Sequence, residues 1–389
     1  MEQLIQRHNS IVARTPVQFR RYMYNKIDWS NRMIGLTGPR GIGKTTLVLQ
    51  RIKQQLQGEK VLYVNMEDFY FTTHRLVDFA GQLSKLGYKY LFADEIHRYP
   101  DWSKELKLIY DYYPDLCVVF TGSSVLDIRK GVSDLSRRAV MYHMQGLSFR
   151  EYLEYAHGIV VPVHSLEQIL QQNAEVGAIE HPLAYFAEYL HNGYYPFASE
   201  SGYIEKLKQI VSMSVDADIP AFAMMSYAVA YKLKRLLSII AESVPFKPNM
   251  SKIGEIVGVS RNVVAEHLTL LEEAGLVAQL RDDTVGIRQL GKVDKVYLDN
   301  TNIIYALAPQ NANIGNVRET FFNNQARVVA DVVASRQTDF CIGGASFEIG
   351  GRKKGNAQIE GLQNAYVVKD DIEYGHDNVL PLWWFGLLY

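Results

Sequence analysis

A glycine-rich segment at residues 38–45, Gly-Pro-Arg-Gly-Ile-Gly-Lys-Thr, constrains the fold of this chain more than any other feature. It follows the apolar residues 33–36 and leads into residues 46–52, which suit a helix, so it is expected at a strand-to-helix turn. Glycines at such a turn let successive backbone N–H groups point at phosphate oxygens, with the positive end of the helix behind them. The segment therefore predicts a phosphate-binding loop.

Two side chains of this loop have predicted roles of their own. Lys44 is expected to reach the β- and γ-phosphates of a nucleoside triphosphate, and the Thr45 hydroxyl is expected to bind magnesium. The residues predicted to contact the nucleotide are Gly38, Pro39, Arg40, Gly41, Ile42, Gly43, Lys44, Thr45 and Thr46. ATP and magnesium are thus the predicted ligands, with ADP as the product.

Three further apolar runs follow the loop, at residues 61–65, 90–95 and 116–121. Near-continuous apolar strands that alternate with helical stretches indicate a parallel sheet covered by helices on both faces. The fold class predicted for this part of the chain is therefore α/β, of the P-loop NTPase type.

Two acids close the second of these runs. Asp94 stands about fifty residues after Lys44, the spacing of a Walker B aspartate that binds magnesium. Glu95 would then orient or deprotonate the attacking water. The alternative is that both acids cap a helix that begins near His97.

Ser123 or Ser124, at the end of the third run, is predicted to contact the γ-phosphate as a sensor residue. A serine after a strand is also a common helix cap, which is the alternative for this pair.

Arg137 and Arg138 precede a strand-like segment at 139–144. Arg138 is a candidate arginine finger for the nucleotide of a neighbouring subunit, and a solvated surface is the alternative. Lys44, Glu95, Ser123 and Arg138 are together the predicted catalytic residues, with Thr45 and Asp94 as metal ligands.

Residues 250–300 have the outline of a winged helix-turn-helix. The predicted elements are a helix at 251–257 capped by Ser251, a turn at 258–260, a helix at 261–274, and strands at 276–280 and 295–298. Arg261 and Asn262 suit DNA contacts at the start of a recognition helix. Yet residues 244–299 hold seven Lys/Arg against eight Asp/Glu, which gives no broad phosphate-neutralising surface. DNA binding is left open.

Acidic residues recur at intervals in the last third of the chain. Glu319, Asp339 and Glu348 occur in an order that resembles the nuclease superfamily named for its Pro-Asp…(Asp/Glu)-x-Lys motif, in which acids hold a divalent metal. The residue two after Glu348 is Gly350 instead of the motif's lysine. Lys353 or Lys354 could reach back to the position of the motif's lysine. Alternatively, the two lysines form a basic turn between a strand and a helix. Asp339 and Glu348 could still form a metal site, since two carboxylates on neighbouring strands can share a hard cation. We expect a nuclease-like fold without cleavage.

Together these motifs resemble the prokaryotic AAA-type ATP-binding proteins, relatives of the archaeal P-loop ATPases. Further support comes from Gly-Leu-Ser-Phe-Arg-Glu-Tyr-Leu at 146–153 and His-Asn-Gly-Tyr-Tyr-Pro at 191–196. The resemblance implies a loop strand flanked by the sensor strand, a helical lid, magnesium-dependent ATP turnover and a C-terminal domain related to the restriction-endonuclease fold. The predicted domains are an ATPase core at 1–145, a lid at 146–243, a winged helix at 244–305 and an inactive nuclease-like domain at 306–389.

The sequence thus predicts an ATP hydrolase whose nucleotide state switches the attached domains. An ATP-gated DNA-binding or nuclease effector and a signal-transducing scaffold with little turnover are the alternatives. The formal net charge of −1 gives no sign of a nucleic-acid or acidic membrane partner. We expect a cytoplasmic protein with no membrane partner, and a homo-oligomer or another protein as the remaining partner class.

Overall fold

A computed structural model describes residues 1–123, 135–177, 179–220, 227–242, 249–282, 292–310 and 312–389, with the backbone alone at 227–228. The described chain divides into two compact units, Met1–Gly146 and Leu147–Tyr389. Within the described residues, no helix combines the length and the apolar character needed to cross a membrane.

The first unit is built on a parallel five-stranded sheet in the order β2-β3-β4-β1-β5. Its strands are β1 (Met33–Thr37), β2 (Val61–Asn65), β3 (Tyr90–Asp94), β4 (Cys117–Gly122) and β5 (Val140–His143). The sequence predicted each of these strands, and the expected pairing of the loop strand β1 with the sensor strand β4 is confirmed.

Helices accompany the sheet of the first unit, as an α/β fold requires. They are α1 (Glu2–Arg14), α2 (Met23–Lys26), α3 (Lys44–Gln55), α4 (Tyr70–Thr73), α5 (Leu76–Lys85) and α6 (Trp102–Tyr112), with a 3-10 helix at Ile96–Arg98. Every residue of β1 is buried, and its Gly35 packs so closely that an added Cβ would lie 2.4 Å from the Met141 sulfur. Strand β1 therefore has no room for a side chain at this position.

The second unit begins with helices and continues into two sheets. Its helices are α7 (Phe149–His157), α8 (Leu166–Leu170), α9 (Pro182–Asn192), α10 (Tyr203–Met213), α11 (Tyr227–Glu242), α12 (Met250–Val257), α13 (Arg261–Glu273), α14 (Thr301–Leu307) and α15 (Ile314–Ala326). Ser148 and Glu151 form a reciprocal capping box at the start of α7, which fixes where this helical region begins.

An antiparallel hairpin of β6 (Val277–Arg281) and β7 (Val293–Leu298) follows α12 and α13. Both predicted helices and both predicted strands are present, but the cap of α12 was predicted wrongly. Asn249, and not Ser251, accepts a hydrogen bond from the backbone N–H of Lys252 at 3.1 Å, so the helix begins one residue earlier.

The C-terminal sheet has the order β12-β11-β10-β9-β8 and is mixed. Its strands are β8 (Val333–Ala334), β9 (Phe340–Ile342), β10 (Ala345–Gly350), β11 (Ala365–Lys369) and β12 (Val379–Pro381). β9 and β10 form a hairpin through Gly343 and Gly344, whose φ angles of 56° and 86° suit a type I′ turn.

The segment after β10 differs from the helix predicted there. Residues 351–364 form turns and not the helix predicted after the basic residues. Gly351, Gly355 and Gly361 interrupt this stretch, and glycine disfavours a helix because it loses the most backbone freedom on folding.

Candidate functional site

The phosphate loop joins β1 to α3 in the first unit. Gly41 and Gly43 have φ angles of 79° and 96°, in the left-handed region that glycine adopts most readily. Gly43 is the residue before α3, so the curled loop ends directly at the positive end of that helix. The predicted strand-to-helix turn at this segment is therefore confirmed.

Lys44 is buried beside this loop. Its Nζ donates to the carbonyl oxygens of Gly38 at 2.7 Å and Pro39 at 2.8 Å. Burial lowers the pKa of Lys44 from 10.5 to about 8, although Glu95 and Asp94 act in the opposite direction. The ammonium is therefore held among oxygen atoms with little water around it, where an anion would strengthen its charged form.

Asp94 ends β3 and accepts hydrogen bonds from three hydroxyl groups. Thr45 Oγ1 at 2.9 Å and the Tyr63 hydroxyl at 2.7 Å both donate to Oδ2, while Thr121 donates to Oδ1. Burial and the neighbouring Asp94 raise the pKa of Tyr63 far above its usual value, so its hydroxyl stays a donor. A carboxylate beside a threonine hydroxyl supplies the oxygen ligands that Mg²⁺ prefers, so these residues fit the implied metal.

Glu95 follows Asp94 in a left-handed conformation with a φ of 53°. Its Oε2 accepts a 2.9 Å hydrogen bond from Ser123 Oγ and lies 3.5 Å from His97 Nδ1. The side chain makes no capping hydrogen bond to the 3-10 helix that follows, so the alternative role of a helix cap is wrong for Glu95. Ser124 lies outside the described residues.

Three residues of this site were not found from the sequence. Tyr63 and Thr121 reach Asp94 from the strands on either side of β3. Buried Arg21 donates to the carbonyl oxygens of Ile42 in the loop and, at 2.7 Å each, of Gln145 and Gly146. Only Thr121 gave a sequence signal, since it lies just before the Gly-Ser end of β4.

Arg138 is not brought to the phosphate loop of its own chain. It precedes β5, whereas the loop follows β1, and parallel strands place these positions at opposite edges of the sheet. Its Nε and Nη2 each donate to an oxygen of Asp111 at 2.9 Å. A role at the nucleotide of a neighbouring subunit stays a prediction.

The C-terminal acids do come together, but with lysines among them. Lys295 Nζ lies 2.9 Å from both Glu319 and Asp339, and Lys354 Nζ lies 2.5 Å from Glu348. In the part of the chain that the structure describes, no group of three or more His, Cys, Asp or Glu side chains is arranged to hold a metal. The metal site that the nuclease resemblance implies is therefore not matched by this arrangement.

Comparison with family models gives two matches. Residues 30–153 match an AAA domain, and residues 183–314 match a domain of unknown function, DUF8612. A search of curated proteins gave no match. The chain thus carries an AAA-type, ATPase-like domain that contains the phosphate loop, Asp94, Glu95 and Ser123.

Solved structures with a related arrangement include the Walker-type ATPase of Pyrococcus abyssi, with 11% identity and a TM-score of 0.43 over 74% of this chain and 95% of that one. AMPPCP-bound DnaA from Aquifex aeolicus has 12% identity and a TM-score of 0.26 over 64% of this chain and 86% of that one. PCH-2 of C. elegans has 14% identity and a TM-score of 0.27 over 64% of this chain and 62% of that one.

Proposed function

We propose that this chain is a magnesium-dependent ATPase that uses its nucleotide state to switch the domains formed by residues 147–389. The observation that carries the proposal is the contact of Thr45 Oγ1 with Asp94 Oδ2 at 2.9 Å, beside a buried Lys44. A loop threonine, a strand-end aspartate and a lysine are the groups that P-loop NTPases use for magnesium and phosphates.

Each residue of the site has a distinct proposed role. The loop N–H groups and Lys44 bind the phosphates and favour the charge that develops during transfer. Thr45 and Asp94 would hold magnesium, which neutralises phosphate charge when it is bound. Glu95 orients a water molecule for attack on the γ-phosphorus and accepts its proton, and Ser123 holds the Glu95 carboxylate in place.

Two substitutions test this proposal. Lys44→Ala removes the ammonium and should abolish ATP binding in calorimetry, whereas Lys85→Ala, at an exposed lysine on α5, should bind normally. Glu95→Gln should bind ATP and lose turnover, with the exposed Glu59→Gln as its control. Wild-type protein that gives no heat with saturating ATP and magnesium would contradict the proposal, and parental turnover by Glu95→Gln would remove Glu95 from its role.

The rate itself separates an ATPase from a scaffold that keeps its nucleotide. Phosphoryl-transfer enzymes of ordinary speed turn over about 1–100 times per second. A steady-state rate above about one per second would argue against a scaffold, and a much lower rate with tight ATP binding would favour it.

DNA binding is the second candidate function. Arg261 and Asn262 are exposed at the start of α13, which follows α12 after a turn at Gly258. We therefore propose residues 244–305 as a winged helix whose α13 contacts duplex DNA. A gel shift at low salt, with and without ATP, tests this role, and Arg261→Ala combined with Asn262→Ala should abolish the shift. Absence of a shift with wild-type protein would eliminate DNA as the partner.

A further inference from the structure

A buried ion cluster lies in the second unit, away from the phosphate loop in sequence. Lys295 of β7 has a side chain that is 8% exposed, and its Nζ lies 2.9 Å from Glu319 Oε2 and 2.9 Å from Asp339 Oδ1. Glu319 belongs to α15 and Asp339 directly precedes β9. One ammonium group therefore joins a hairpin strand, a helix and the residue that leads into β9 of the C-terminal sheet.

The remaining donors around these acids also come from the protein. The Tyr297 hydroxyl donates to Glu319 Oε2 at 2.7 Å, and the Ile349 N–H donates to Asp339 Oδ2 at 2.9 Å. Tyr297 stands two residues after Lys295, so both side chains leave the same face of β7 and meet the same carboxylate. A divalent ion placed between Glu319 and Asp339 would have to displace this ammonium or sit beside it against like-charge repulsion.

The charge on Lys295 is maintained by its partners. Burial lowers the pKa of Lys295, but Glu319 and Asp339 raise it by more, so its pKa lies above the usual value. The group is therefore protonated at every physiological pH. The side chains of Glu319 and Asp339 are only 12% and 17% exposed, so a counter-charge is favoured here, because a largely desolvated charge without one is unfavourable.

We propose that Lys295 is the built-in cation of this carboxylate cluster, in place of a divalent metal, and that it fastens the β6–β7 hairpin to the C-terminal sheet. A second contact between the same elements supports the fastening, since Asp282, directly after β6, forms a parallel bridge with Ala334 of β8. The cluster thus serves as a structural ionic link and not as a metal site. This inference does not depend on the ATPase proposal.

Lys295→Met in the full chain tests the link, with Lys292→Met, at an exposed lysine just before β7, as the matched control. Loss of the ammonium leaves two partly buried carboxylates without their counter-charge, and the melting temperature should fall by roughly 5–10 °C. Mn²⁺, added without nucleotide, should raise the melting temperature of Lys295→Met by about 3 °C or more, because the metal can now take the vacated position. Mn²⁺ should leave wild-type and Lys292→Met protein unchanged.

A second substitution tests whether Mn²⁺ acts at this cluster. Adding Asp339→Asn to Lys295→Met should remove the response to Mn²⁺, since one of the two ligands is lost. The proposal is overturned if wild-type protein is stabilised by Mn²⁺ and Asp339→Asn alone removes that effect, because the acids would then hold a metal with Lys295 present. This comparison uses variants that retain Lys295, so it decides the question even if Lys295→Met fails to fold.

Discussion

The hydroxyl of Tyr63 donates a 2.7 Å hydrogen bond to Oδ2 of Asp94, the same oxygen that accepts the Thr45 hydroxyl. In the register of β2 and β3, Asn65 lies opposite Asp94, so Tyr63 is the diagonal neighbour on the same face. The proposed magnesium ligand is therefore held by its neighbouring strand as well as by the loop, and the packing of the sheet is coupled to the site.

We expect Tyr63→Phe to reduce both stability and magnesium-dependent nucleotide binding. The change removes a hydrogen bond to a buried carboxylate, and such bonds to charged groups contribute about 1.5–3 kcal/mol. Denaturant unfolding should show a loss of that order, and magnesium titrations should show weaker ATP binding. Tyr112→Phe, at an exposed tyrosine of α6, should change neither quantity. Unchanged magnesium dependence in Tyr63→Phe would show that Tyr63 does not position Asp94.

The pKa of Lys44 predicts proton uptake on nucleotide binding. In the nucleotide-free protein this pKa is about 8, so the group is half neutral at pH 8, and a bound polyphosphate should restore the ammonium. Calorimetry in two buffers of different ionisation enthalpy should therefore report uptake of about half a proton at pH 8 and about a tenth at pH 7. Equal uptake at both pH values would contradict a lowered pKa for Lys44.

The same group has a predictable effect on stability. Because its folded pKa is lowered, the unfolded chain holds more protons between about pH 8 and pH 10.5, and the contribution of Lys44 to stability rises with pH in that window.

The strands and the phosphate loop could be predicted because apolar runs, glycine spacing and strand-end acids are local features. Glu95 and Ser123 were both recognised as strand-end residues, and the parallel sheet brings them to one edge. The role of Tyr63 could not be predicted, because its contact with Asp94 depends on the register of β2 against β3. No local pattern reports such a register.

The same limit applied to charged residues. Arg21 and Arg20 are adjacent and chemically identical, and only the fold buries one of them. Lys295 was predicted to be the first residue of a strand, while its partners Glu319 and Asp339 lie 24 and 44 residues later in the chain. Pairings over such distances are set by tertiary packing, so the sequence indicated the acids but not their counter-ion.

Ser123→Ala should slow turnover with little change in ATP binding. Ser123 Oγ donates to Glu95 Oε2 at 2.9 Å, so its loss frees the proposed base from the position in which it can orient water. We expect the turnover rate to fall by about tenfold, which corresponds to about 1.4 kcal/mol of transition-state stabilisation. Ser10→Ala, at an exposed serine of α1, is the control. An equal loss of ATP affinity would indicate a direct phosphate contact for Ser123 instead.

Arg21→Ala should destabilise the first unit and weaken nucleotide binding together. The guanidinium joins the loop carbonyl of Ile42 to those of Gln145 and Gly146, and its removal takes a charged donor away from each of these carbonyl oxygens. A loss of roughly 3 kcal/mol in the free energy of unfolding is expected. Arg20→Ala, at the exposed neighbour, should cost less than about 0.5 kcal/mol. Comparable losses in the two variants would show that the three carbonyl contacts do not matter.

Arg138 forms an ion pair with Asp111, and variants of the two residues can show whether Arg138 has a structural role or acts as an arginine finger. Both side chains are partly exposed, with 26% and 39% accessible, so the pair should contribute no more than about 1 kcal/mol. If the pair is its whole role, Arg138→Ala and Asp111→Asn should both keep ATP turnover within about twofold of wild type. An arginine finger contributes roughly 10³-fold or more to turnover, so a loss of that size in Arg138→Ala alone would reveal one. Measuring turnover against protein concentration would then show whether a neighbouring chain supplies it, because a finger acting between subunits is lost on dilution.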